Sequence, residues 1–133
     1  GQATAATLNQ PEGIWSLPSG VMFIVENAGM RIRKVTGSTI MLFAGGGTGG
    51  DGGPATSSLL NSPTKVFGDS VGLNVYFSEG GSNKVRAVGL NSGIVVNFAG
   101  SGGGASTTGS GRPRQAARVD VRVADDGRRL RSR

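Results

Sequence analysis

Two successions of short apolar runs divide the chain, each rich in β-branched and aromatic residues and broken by Gly, Asn, Ser and Pro. Runs of that kind predict strands rather than helices. They place strands at 13–16, 21–25, 31–35 and 39–43, and again at 65–67, 74–78, 84–88 and 93–98. Val21-Met22-Phe23-Ile24-Val25 and Val75-Tyr76-Phe77 are apolar at every position, which predicts inner strands covered on both faces. Arg31-Ile32-Arg33 alternates instead, so two guanidinium groups share one face with Ile32 on the other, and that strand is expected to lie nearer solvent than the inner ones.

The two successions are copies of one unit. Leu8 and Pro11 match Leu60 and Pro63 at an offset of 52 residues. Ile14-Trp15 then matches Val66-Phe67, Phe23 matches Tyr76, Ile32-Arg33 matches Val85-Arg86, and Phe43-Ala44-Gly45 matches Phe98-Ala99-Gly100. A period of about 50 residues lies in the range of propeller blades and solenoid units. A four-stranded sheet that is apolar on both sides cannot cover itself, so each copy requires another sheet on either side. The expected organisation is a first unit at 1–45, a glycine-rich junction at 46–59 and a second unit at 60–100. Residues 101–133 read as a degenerate junction followed by an arginine-rich tail, expected to be disordered.

Composition narrows the chemistry. With 25 glycines and 5% aromatic residues there is little bulk for a self-sufficient core. The absence of cysteine excludes disulfides and thiolate metal sites, and the absence of histidine removes the commonest general base. The net charge of +6 belongs mostly to the end of the chain, where eight arginines from Arg112 onward face only Asp120, Asp125 and Asp126. That end reads either as a basic arm that binds phosphates non-specifically or as a shifted reading frame of GC-rich DNA. No apolar run approaches the roughly 20 residues that span a bilayer, so no membrane partner is expected.

Several linked phrases carry a resemblance. They are GDGGPAT at 50–56, LNQPEGI and LNSPTKV opening the copies, VMFIVENAGMRIRKV and NVYFSEGGSNKVRAV in their middles, and the closing FAG. Over residues 1–111 the chain resembles the NHL-repeat family of β-propellers. The resemblance implies an all-β fold of two four-stranded antiparallel blades in an incomplete ring. Family members usually close six blades, which implies completion by missing blades or by self-association; the start at Gly1, inside a repeat, points to a fragment. The acidic residue that the family places after the second strand is Glu26 in one copy and Glu79 in the other. The polar pair before the third strand is Gly29-Met30 and Ser82-Asn83.

The family's functions include protein binding, RNA binding and, in relatives of the fold, lyase or esterase-like chemistry. The expected function is a non-catalytic binding or scaffold module with a protein partner, RNA being a minor alternative. The competing expectation is a fragment of a propeller lyase or lactonase whose active site lies in missing blades. No cofactor and no metal are expected. Glu12, Glu26, Asp51, Asp69 and Glu79 are spread singly rather than converging.

Glu26 with Arg31 and Glu79 with Lys84 are expected to pair across the turn between the second and third strands, and Arg33 and Arg86 complete the candidate binding residues. Their plain role is to stabilise each turn, for which an exposed pair contributes about 0–1 kcal/mol. Arg31, Arg33, Lys34, Lys84 and Arg86 form at most a modest basic ridge without clustered aromatics. Residues 46–51 match the opening of a calcium nonapeptide, but Gly53 stands at its apolar position and no tandem copy follows. Gly45-x-Gly47-x-x-Gly50 spells a dinucleotide fingerprint with no helix pattern behind it. The ordinary reading is a tight inter-unit loop in which glycines take positive φ and Asp51 bonds its own backbone. Trp15, matched by Phe67, is expected to pack between units.

Overall fold

Antiparallel meanders follow directly from short strands separated by turns of a few residues. In the computed structural model, which describes residues 1–103, strands β1 (Pro11–Ser16), β2 (Met22–Glu26), β3 (Arg31–Thr36) and β4 (Thr39–Gly45) form one sheet in sequential order. Strands β5 (Pro63–Gly68), β6 (Asn74–Glu79), β7 (Lys84–Gly89) and β8 (Val95–Ala99) form a second. The chain is therefore all-β, with two four-stranded antiparallel sheets. The arginine-rich tail lies outside the described residues. Among the described residues no helix is long and apolar enough to cross a membrane.

The likeness of the two copies reaches the backbone dihedrals. Gln10 and Ser62, one residue before β1 and β5, both sit in the left-handed region, at φ 53° and 50°. Met30 and Asn83, just before β3 and β7, do the same at 50° and 52°. Ladders shift register between Pro11 and Gly13 and between Pro63 and Lys65. They shift again between Ile32 and Arg33 and between Val85 and Arg86. One turn of 3-10 helix precedes each meander, at Ala3–Ala5 and Ala55–Ser57. In both copies the residues beside it bond to the last strand's side of the sheet: Ala3 N–H to Ser38 O and Ile40 N–H to Gly1 O, then Ala55 N–H to Gly93 O and Val95 N–H to Gly53 O.

The core lies between the sheets. Phe23, Val25, Ile32 and Ala44 of the first sheet join Val66, Val75, Phe77, Val88 and Val95 of the second, with Leu60 and Ala55 from the junction. Two glycines permit the close approach. A β-carbon on Gly13 would fall 2.7 Å from Thr64 O. One on Gly68 would fall within 2.5 Å of Trp15 Cζ3, so the Trp15 ring lies over the backbone of β5. Trp15 is thus an inter-sheet side chain, and it also stacks on Phe23, which meets Phe43 edge-on at 4.7 Å.

Equivalent strands bury opposite faces. In β2 the core side chains are Phe23 and Val25, whereas in β6 they are Val75 and Phe77, while Tyr76, the match of Phe23, turns the other way. The expectation that inner strands are covered on both faces is met on one face only in each sheet. Ile14 is 63% exposed on the outer side of the first sheet. Phe67 and Phe98 are 54% and 53% exposed on the outer side of the second, where they flank Tyr76 in the arrangement that Trp15, Phe23 and Phe43 adopt under cover.

Candidate functional site

Antiparallel pairing brings the candidate residues together. Register sets Glu26 opposite Arg31 and Glu79 opposite Lys84, and places Arg33 and Arg86 two residues further along the same face. In the first sheet the Glu26 carboxylate has no solvent exposure and accepts four hydrogen bonds from three residues. Arg31 grips it with a fork, Nε to Oε2 at 2.6 Å and Nη2 to Oε1 at 3.1 Å. The backbone N–H of Asn9 donates to Oε1 at 2.7 Å, and Arg33 Nη1 approaches Oε2 at 3.5 Å. Burial works to raise the Glu26 pKa. The bonds from Arg31 and Asn9, with the two guanidinium charges, outweigh it and hold the carboxyl below its ordinary value of 4.5. The bond to Glu26 raises the Arg31 pKa in return.

The second sheet keeps the carboxylate and changes its partners. Glu79, also buried, accepts the Asn61 N–H at 3.0 Å, as Glu26 accepts that of Asn9. Its Oε2 takes the Ser82 hydroxyl at 2.9 Å, and its Oε1 lies 3.4 Å from Arg86 Nη1. The expected Glu79–Lys84 pair is not formed. Ser82, where the first copy has Gly29, supplies a short donor to the oxygen, and the lysine stem runs instead beside Gly102. A lysine ammonium also lacks the fork with which Arg31 engages both oxygens. The expectation of exposed pairs fails too, because both carboxylates are buried. Removing one partner of such a pair costs about 3–5 kcal/mol rather than the fraction assigned to a surface pair.

Arg86 joins three parts of the chain. Its Nε donates to Asp51 Oδ1 at 2.9 Å and its Nη1 to Leu59 O at 2.9 Å, beside the contact with Glu79. Asp51 therefore reaches across from the junction to the second sheet instead of bonding its own backbone. Gly45, Gly46 and Gly52 do take positive φ, at 91°, 95° and 88°, which lets the loop turn back over residues 57–59. There Gly47 N–H donates to Ser58 O, Gly49 N–H to Ser57 O and Leu59 N–H to Gly49 O. Between this loop and the sheet lies a cavity of about 270 Å³, lined by Asp51, Asn61, Glu79, Ser82, Lys84 and Arg86.

The six residues expected from sequence thus fall into two equivalent clusters, Glu26 with Arg31 and Arg33, and Glu79 with Arg86, while Lys84 lines the cavity unpaired with Glu79. Sequence reasoning missed Asp51 as a partner of Arg86 and missed the clasp of each glutamate by a backbone N–H. The repeated Leu-Asn of Leu8-Asn9 and Leu60-Asn61 was the available signal for the clasp. Lys34 stands opposite Phe23, on the other face of the sheet from Arg33, and so does not extend the basic ridge.

A glutamate held ionised by guanidinium groups and buried from water is a poor general base, since its proton affinity is lowered. What the arrangement does well is lock turns and present oriented polar groups. Asp69 acts in the same way at the β5–β6 turn, accepting N–H bonds from Leu73 at 2.8 Å and Asn74 at 3.0 Å. Burial works to raise its pKa, and these bonds with that of the Asn74 amide bring it below 3.8. Among the described residues no three acidic, histidine or cysteine side chains converge as metal ligands. No protein-family model and no curated protein matches the chain.

Proposed function

We propose that the chain is a non-catalytic binding module, a segment of an NHL-type β-propeller whose loops at the Glu26 and Glu79 end of the sheets receive a protein partner. In this reading each sheet is a blade, and the two outer faces are completed by further blades or by other copies of the chain. The repeated meander, the matching left-handed residues and bulges, and the paired carboxylate clasps support the blade assignment. The cavity beside Asp51 and Lys84 carries the binding assignment. It is open, lined mostly by polar and charged residues and built on a rigid base, because Glu79 and Arg86 beneath it are buried and bonded while Lys84 and Ser82 are only partly covered.

A displayed random-peptide library selected on the full 133-residue chain tests this. Selected peptides are expected to bind saturably in calorimetry, and Lys84→Glu is expected to weaken them about tenfold or more, by a reversed charge within a few ångströms of the ligand. Among the described residues the Lys84 side chain forms no hydrogen bond or ion pair, so the fold should survive the change, the new carboxylate opposite Glu79 lowering the melting temperature only modestly. Enrichment of no peptide, or binding indifferent to Lys84→Glu, refutes the assignment to this cavity. Metal-dependent turnover of an ester or lactone, lost on chelation, refutes the non-catalytic reading.

A further inference from the structure

Met30 is an unusual residue for the backbone it occupies. It sits in the left-handed region at φ 50°, where the matching position of the second copy holds Asn83 at 52°. Asparagine tolerates that conformation, whereas a long apolar side chain takes it rarely, so the outlier points to a task for the side chain. The thioether has one. Met30 Sδ accepts the backbone N–H of Ser62 at 3.2 Å, from the β2–β3 turn of the first sheet to the entry of the second. Asn27, in the same turn, donates from Nδ2 to Pro63 O at 3.1 Å. Ser62 in turn accepts the N–H of Gly80 at 3.0 Å from its own sheet, so its peptide groups tie the two sheets together. Every group of this joint is partnered from within residues 27–80.

A thioether sulfur is a weak acceptor and a soft nucleophile, and it uses the same lone pairs for both. The Ser62 N–H takes one of them. Met30 is 41% exposed and the bond itself lies open to solvent, which leaves the other lone pair to a reagent. Met41 supplies the contrast. It is 47% exposed, and among the described residues its sulfur takes no hydrogen bond.

We infer that Met30 is a modification site at the joint between the sheets, where the thioether takes an oxygen atom from a hydroperoxide and the joint loosens. The sulfur attacks the peroxide, an S–O bond forms as the O–O bond breaks, and the proton passes to the departing oxygen, which leaves as water or an alcohol. The thioether gives up two electrons, the peroxide is reduced, and Met30 becomes a sulfoxide. The new oxygen forms on the open side of the sulfur, away from Ser62, and the sulfur it leaves is electron-poor. The Ser62 N–H thereby loses its acceptor, and of these two contacts the turn keeps only the bond from Asn27 to Pro63. Enzymatic reduction of the sulfoxide restores the thioether and with it the contact. Met41 oxidises without reaching the joint. The site lies apart from the cavity beside Lys84 and does not depend on what that cavity binds.

The test treats the full chain, labelled with ¹⁵N and with ¹³C at the methionine methyl groups, with hydrogen peroxide. The methyl signals report which sulfur is oxidised, and the Ser62 amide reports the joint. The Ser62 signal is expected to move with the time course of Met30 and not with that of Met41. Its hydrogen exchange should quicken about three- to tenfold, the effect of losing one hydrogen bond. Methionine sulfoxide reductase should return both signals. Met30→Leu should leave the Ser62 amide indifferent to peroxide, whereas Met41→Leu should respond as the wild type does. The two time courses within the wild type make the same distinction without any variant. The proposal is overturned if Ser62 stays still while Met30 is oxidised, if it follows Met41 instead, if Met30→Leu still responds, or if Met30 resists peroxide that oxidises Met41.

Discussion

The Trp15 ring lies over Gly68 between the sheets, and replacing Gly68 by alanine tests whether that approach sets their spacing. The new methyl carbon would lie 2.5 Å from Trp15 Cζ3 and 2.9 Å from Cζ2, both atoms of the outer ring of the indole. Trp15 cannot retreat freely, because Phe23 stacks on it at 6.0 Å and Phe43 backs Phe23 in turn. Overpacking of this kind costs about 1–3 kcal/mol. In a domain of this size that lowers the melting temperature by roughly 4–8 °C per kcal/mol. Trp15→Phe removes the outer ring and costs about 1–2 kcal/mol on its own through lost burial and stacking.

The combination carries the argument. With the indole gone, the alanine methyl fills the space that the outer ring held. The double variant should therefore be more stable than the two single losses predict, by about 1 kcal/mol or more. Chemical denaturation of the wild type, both single variants and the double variant completes the cycle. Additivity within about 0.3–0.5 kcal/mol would refute the claim that these two residues share one space.

Two further outcomes follow from the carboxylate clusters. Glu26 and Asp69 have folded-state pKa values below their ordinary 4.5 and 3.8, so the stability they contribute is complete above those values and drains as pH falls through the lowered ones. Denaturation midpoints measured at descending pH should fall less steeply in Glu26→Gln than in the wild type, and parallel slopes would sink the assignment. Arg86→Lys loses the fork that joins Asp51, Leu59 and Glu79 and should cost about 1.5–3 kcal/mol. Arg33→Lys, with a single long contact to lose, should cost less than about 1 kcal/mol in the same measurement.

The strands were legible because their signals are local. β3, expected at 31–35, runs Arg31–Thr36, and β7, expected at 84–88, runs Lys84–Gly89. β8 was less so, expected at 93–98 and found at Val95–Ala99, because Gly93 takes φ 67° and closes the turn instead of joining the strand. Partners chosen across the fold were not legible. Glu79 and Lys84 are set opposite by register, yet a serine three residues from the glutamate takes the oxygen first. Asp51 and Arg86 are 35 residues apart, joined only because the glycine loop turns back over residues 57–59. Burial of Glu26 likewise needs the Asn9 backbone, which no pattern within β2 announces.

The two outer faces are the two halves of the joint that the chain has already made once. Inside, the Trp15 side of the first sheet meets the Phe77 side of the second; outside remain the Ile14 and Ile24 side of the first and the Phe67, Tyr76 and Phe98 side of the second. A joint of unlike halves is heterologous, so copies of the chain that use it must associate head to tail. Where Gly13 meets Thr64 in the covered joint, Lys65 would meet Glu12 in the open one. The side chain widens the approach and supplies an opposite charge. Phe67→Asp spoils one half and Ile14→Asp the other. If copies complete one another, light scattering should find each variant monomeric, while an equal mixture forms dimers through the one intact pair of faces. A wild type that is monomeric throughout, or a mixture that stays monomeric, would exclude copies of the chain as the cover.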